Sequence, residues 1–233
     1  MKNFATMLKP LALSIAVLSI LAVGSSEARA DEVTLAGYTN GTFNGIPAAM
    51  QGPGFQQTSL LGLTYMNSTF GGTTVNGFRG LGGNPTPPGT QNTNNLGSFN
   101  LANSTANYNG NTFTLRVTFT LPTGINNPAG GSATFSATLT GSVLSNGDGG
   151  VQIDFNNAPI LFTFSNAQAS GSFLLSVNDL AIDPGQTASV TGQITAAQQT
   201  AIPEPATMLL LGTGLAGVVA KVRKRKAKES QEV

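Results

Sequence analysis

The sequence contains no cysteine, no histidine and no tryptophan, and between residues 31 and 201 it contains no lysine either. Each absence removes a class of chemistry. Without cysteine and histidine there are no ligands for the commonest zinc sites, no thiolate nucleophile and no imidazole for a catalytic triad. Without cysteine there is no disulfide framework, so the oxidising space outside the cytoplasm is permitted without being demanded. Charge is scarce as well. Charged residues make up 9% of the chain, which excludes a coiled coil or a charged disordered chain. From 31 to 201 the only cations are Arg79 and Arg116, against Asp31, Glu32, Asp148, Asp154, Asp179 and Asp183, a net charge of −4. Too few cations are present there to neutralise phosphates, so no nucleic-acid partner is expected.

The positive charge sits at the two ends. Lys2 and Lys9 precede an apolar run at 11–23, and Ala28-Arg29-Ala30 follows as a small-x-small triplet. This is the layout of a secretory signal peptide, with cleavage expected between Ala30 and Asp31 by signal peptidase. The run is too short for an uncleaved membrane span, which needs about 20 residues.

At the other end Pro203-Glu204-Pro205 leads into an apolar run at 206–220 and then a basic cluster, Lys221, Arg223, Lys224, Arg225, Lys226 and Lys228. Two prolines in three residues interrupt any strand or helix and hold the segment extended, as an enzyme reading a short linear motif requires. The apolar run is expected to form a transmembrane helix, and the basic residues act as a membrane stop that stays in the cytoplasm while the body lies outside. The fifteen residues of the run rise only about 22 Å as a helix, against a hydrocarbon core of about 30 Å.

The tripeptide, the apolar run with Gly212, Gly214 and Gly217, and the basic end together resemble the PEP-CTERM sorting signal. The resemblance covers about thirty residues. It implies that the chain is a substrate of exosortase, a membrane-embedded transpeptidase-like protease of Gram-negative bacteria, with Pro203, Glu204 and Pro205 as the recognition motif. It also implies a setting in exopolysaccharide or biofilm systems. Gly212-Thr213-Gly214-Leu215-Ala216-Gly217 matches G-x-G-x-x-G, but no βαβ unit surrounds it, so it is not a dinucleotide fingerprint.

Between the ends the pattern is that of strands. Phe113, Leu115, Val117, Phe119 and Leu121 alternate with Thr112, Thr114, Arg116, Thr118 and Thr120. A period of two returns in Ala133, Phe135, Ala137, Leu139 and Val143; in Val151, Ile153 and Phe155; in Ile160, Phe162 and Phe164; in Phe173, Leu175 and Val177; and over 190–194. Less regular strands are expected at 33–38, 60–66 and 96–101. Asn146-Gly147-Asp148-Gly149-Gly150 and Asp183-Pro184-Gly185 read as turns, and 82–95 as a loop unable to order itself by burial. The expected domains are a signal peptide at 1–30, an all-β body at 31–201 and a sorting signal at 202–233. The body is expected to be an antiparallel β-sandwich, jelly-roll-like or immunoglobulin-like. It also loosely resembles the "choice-of-anchor" type modules that precede such tails.

Chemistry within the body rests on carboxylates. Two of them about 5 to 9 Å apart can hydrolyse a glycosidic bond, but Asp148 falls in a turn and Asp154 on the outward face of its strand. Asn146, Asp148 and Asp154 are also oxygen ligands that suit calcium, although the D-x-[DN]-x-[DN]-G spacing is absent. Tyr38, Tyr65 and Tyr108 are candidates for a carbohydrate-binding face. The triplets at Asn40, Asn67 and Asn103 that fit N-x-[ST] read as accidents of an Asn- and Thr-rich chain. The expectation is therefore an exported, non-enzymatic surface or matrix protein without cofactor or metal. The alternative is a carbohydrate- or calcium-binding module with exopolysaccharide as its partner.

Overall fold

The computed structural model describes residues 29–45, 52–201, 211, 212, 214–219 and 221. Strands are numbered in chain order, and all counts refer to the described residues. One sheet of eight strands runs β16 (Leu180–Ile182), β13 (Gly149–Phe155), β12 (Ser132–Val143), β10 (Asn111–Leu121), β2 (Thr34–Phe43), β5 (Ser68–Thr73) and β7 (Asn92–Thr93), with β9 (Ala106–Asn107) also on β12. A second sheet of six runs β1 (Arg29–Ala30), β18 (Gly192–Ala201), β15 (Ala169–Val177), β14 (Ile160–Ser165) and β11 (Ile125–Asn127), with β6 (Arg79–Leu81) also on β18. The third has four, β17 (Thr187–Ser189), β8 (Ser98–Leu101), β4 (Leu63–Met66) and β3 (Gln57–Leu60). The fold is all-β. Its named strand pairs are antiparallel except β5 with β7.

The two-residue period explains the long strands. Phe113, Leu115, Val117 and Phe119 are buried on β10 while Arg116 is exposed. Ala133, Phe135, Ala137, Leu139 and Val143 do the same on β12, and Phe173, Leu175 and Val177 on β15. These faces meet in one hydrophobic cluster drawn from all three sheets. Phe119 reaches across to Phe162 and Phe173, each at 4.8 Å between ring centres, and those two rings stack on each other at 5.0 Å. Toward the other end of β10, Phe113 packs on Phe99 at 4.8 Å and on Tyr65 at 4.9 Å. The large sheet therefore buries one face against both smaller sheets. Such aromatic pairs add about 0.5–1.5 kcal/mol each beyond the area they bury.

Three expectations need correction. Leu121 is exposed rather than inward, because the β10–β2 register shifts between Phe119 and Leu121 and the alternation slips with it. The strand expected at 60–66 is confined to β4, because Leu60 ends β3 and a turn separates the two. Leu61 and Gly62 both take positive φ and form that turn between β3 and β4. The loop 82–95 contributes one short strand, β7, and is fastened by buried amides instead of apolar residues. Asn92 Nδ2 donates to Ser98 Oγ at 3.0 Å, and its Oδ1 accepts from the Thr86 amide at 3.0 Å. Asn95 Nδ2 donates to the Gly83 carbonyl at 3.0 Å and to Ser189 Oγ at 3.2 Å.

Candidate processing sites and the chemistry of the body

Arg29 and Ala30, the last residues of the expected leader, pair with β18, the strand that precedes the expected tail. β18 pairs with β15 along one edge, and along the other it meets β6 at Gly192–Ile194 and β1 further on. Arg29 lies opposite Thr200 and Ala30 opposite Gln199. The expected leader-cleavage position is thus a ladder position beside the strand that runs toward Pro203. Immediately after it the chain is pinned to the body. The Asp31 carbonyl accepts from Thr74 Oγ1 at 2.7 Å and from the Gly77 amide at 3.0 Å. The Val33 amide then donates to Thr74 Oγ1 at 2.7 Å.

The Asn76-Gly77 turn that supplies this anchor is tight, with φ of 50° and 71° and mutual hydrogen bonds between Val75 and Phe78. It packs on β18 where Ala196 adopts φ of 50°, an extra residue that breaks the β15–β18 register between Ser172 and Leu174. Ala30, Asp31, Asn76, Gly77, Ala196, Ala197 and Gln198 line an open cavity of about 430 Å³ at this junction. Sequence reasoning missed this arrangement, because no local pattern reports a pairing between residues 30 and 199.

Of the residues singled out at the ends, Ala30 is exposed in β1 and Asp31 is exposed beside it, while Lys221 is exposed and helical. Ala28, Pro203, Glu204, Pro205, Arg223, Lys224, Arg225 and Lys226 lie outside the described residues. The expected transmembrane helix is not supported. Residues 211, 212, 214–219 and 221 are helical, yet no helix among the described residues is long and apolar enough to cross a membrane.

The carboxylates of the body serve turns and backbone. Asp148 accepts from Asn146 Nδ2 within the turn that joins β12 to β13. Asp179 accepts from the Phe155 amide at 2.7 Å and from Asn157 Nδ2 at 3.0 Å. Asp154 faces outward from β13. Asp148 thus lies in the turn that precedes β13, and Asp154 on the outer face within that strand. Among the described residues no three carboxylates gather as metal ligands.

The tyrosine face is also corrected. Tyr65 and Tyr108 are buried in the core. Tyr65 Oη lies 2.8 Å from both the Leu96 carbonyl oxygen and Thr39 Oγ1, and Tyr108 Oη donates to the Leu61 carbonyl at 2.7 Å. Burial pushes both phenols above their ordinary pKa. Only Tyr38 keeps partial exposure, so three rings cannot form a sugar platform. Asn40 and Asn67 are buried, and Asn67 uses its amide to hold the Gln56 amide and the Gly54 carbonyl.

Fold and ends together define an all-β body followed by a short linear sorting segment. Residues 201–226 match the family model for the PEP-CTERM protein-sorting motif, so the chain carries that motif at the end of its β body. The match begins at the last residue of β18 and ends at Lys226. The motif marks an exported protein directed toward the cell surface and processed by an exosortase-type enzyme. No curated protein and no solved structure matches the chain.

Proposed function

We propose that this protein is an exported, non-enzymatic cell-surface or extracellular-matrix component. Its body is a β-sandwich of jelly-roll-like or immunoglobulin-like outline. Signal peptidase removes the leader after Ala30, the tail holds the protein at the inner membrane with the body in the periplasm, and the exosortase-type enzyme then releases it to the surface or the medium. The observation that carries this reading is the sorting motif at 201–226, joined without a linker to the last strand of the body. The non-enzymatic role is supported by the commitment of Asp148 and Asp179 to turn and backbone hydrogen bonds. It is supported further by the absence of cysteine and histidine.

The test is the intact mass of the protein recovered from a host that contains the processing enzyme, beside a variant carrying Pro203→Ala, Glu204→Ala and Pro205→Ala. The expected wild-type mass begins at Asp31 and ends near the Pro-Glu-Pro segment, while the variant keeps its tail and stays in the membrane fraction. A full tail on both proteins would show the segment to be a plain anchor and defeat the sorting reading.

A further inference from the structure

We infer that Arg29–Ala30 is a removable cover on β18, and that leader cleavage opens the strand edge from which the processing enzyme reads the sorting motif. The inference rests on the reading of 1–30 as a leader and of 203–205 as the motif. In the chain that still carries its leader, Gln199 has Gly171 on one side and Ala30 on the other, and Thr200 has Ser170 and Arg29. Both residues are therefore interior to a sheet only three and four positions before Pro203. A protease that takes its substrate as an extended segment pairs with that segment's backbone, and a covered edge offers it nothing.

The position of the cut suits this role. Hydrolysis of the Ala30–Asp31 bond consumes one water and leaves a carboxylate on Ala30 and an amine on Asp31. It falls between a segment paired to β18 and a segment pinned to the body through Thr74 and Gly77. The body keeps its anchor at Asp31 while the two residues of β1 depart with the leader. The rest of that same edge of β18 remains closed by β6 at Gly192–Ile194 and by the Ala197 amide, which donates to the Gly77 carbonyl at 3.1 Å. The opening is thereby confined to the end of the strand that enters the motif. Processing at the N-terminus would license processing at the C-terminus.

The experiment follows tail removal by intact mass in the full chain, in a host containing the processing enzyme. Three proteins are compared: wild type, Ala28→Leu to block leader cleavage, and Ala28→Leu combined with Arg29→Pro and Ala30→Pro. The prolines lack the amide hydrogens of β1, and the leader still tethers the chain, so anchoring is equal in the last two. Ala28→Leu is expected to slow tail removal at least about fivefold, consistent with one or two ladder hydrogen bonds. The proline variant is expected to restore it while the leader stays attached. Of the adjacent Gln199 and Thr200 amides, the one that points to β1 should exchange slowly in Ala28→Leu and fast in both other proteins, while the one that points to β15 stays protected in all three.

Tail removal from Ala28→Leu at the wild-type rate would overturn the cover while leaving the sorting reading intact. Failure of the proline variant to recover, with the β1-facing amide already exchanging fast, would overturn it equally. A wild-type chain that keeps its leader and its tail would overturn both.

Discussion

Tyr65 concentrates several demands at one position. Its ring lies against Phe99 and Phe113 in the core, and its hydroxyl reaches the Leu96 carbonyl and Thr39 Oγ1. Thr39 Oγ1 in turn accepts from the Ser68 amide at 3.0 Å. Gly97 takes φ of 107°, and a Cβ there would fall 2.4 Å from the Tyr65 hydroxyl, so the glycine meets both a backbone and a packing requirement. Replacing Tyr65 by Phe keeps the ring and removes the hydroxyl, at an expected cost of about 1–2 kcal/mol in urea unfolding. Its alkaline behaviour follows from the raised pKa, caused first by desolvation and opposed by the Thr39 bond. The folded state holds the proton after the unfolded state has released it, so this contribution is full below pH 10 and is lost as pH rises through the folded value. Tyr65→Phe should therefore start less stable at pH 8 yet lose less stability above pH 10. Equal alkaline slopes in the two proteins would count against this account, since Tyr108 remains to titrate in both.

Among the elements, the segments with a clean two-residue period were legible in the sequence and those held by polar groups were not. β10, β12, β13 and β15 show their buried faces in their spelling, because each is long enough for alternation to rise above chance. β6, β7 and β9 have two or three residues each, and their place is set by distant partners. Asn92 shows why composition misleads. Asparagine in a Pro- and Thr-rich stretch reads as loop, yet Asn92 is fully buried and ties that loop to β4 and β8 through the Met66 carbonyl and Ser98 Oγ. Asn92→Ala would leave these groups without their partner, at an expected cost of about 2 kcal/mol. It should also make 82–95 the first site of limited proteolysis. An unchanged digestion pattern would show that β7 is held by its pairing with β5 alone. The sorting motif was legible for the opposite reason, since a recognition sequence is read by an enzyme as a string and needs no fold to be seen.

For the whole molecule the decisive strand comes last. β18 supplies Ile194 and Ala197 to the core, carries β15 along one edge, and is the strand against which β1 and β6 close. Its partners come from three distant segments, Arg29–Ala30, Arg79–Leu81 and Ala169–Val177. A body whose final strand joins β6 to β15 cannot finish folding before that strand arrives, and such non-local pairing is slow to form. This places the boundary of the folded unit sharply. Truncation after Ala201 removes the tail but no described strand, and should leave the unfolding free energy within about 1 kcal/mol of the full chain. Truncation after Thr191 removes β18, uncovers the edge of β15 and deletes two core side chains, and should abolish the cooperative unfolding transition altogether. The two proteins differ by ten residues, so a scan of truncation points by urea unfolding would locate the change. A cooperative transition in the shorter protein would show that the large sheet closes its core without β18, and that the strand leading to the sorting motif is an appendage.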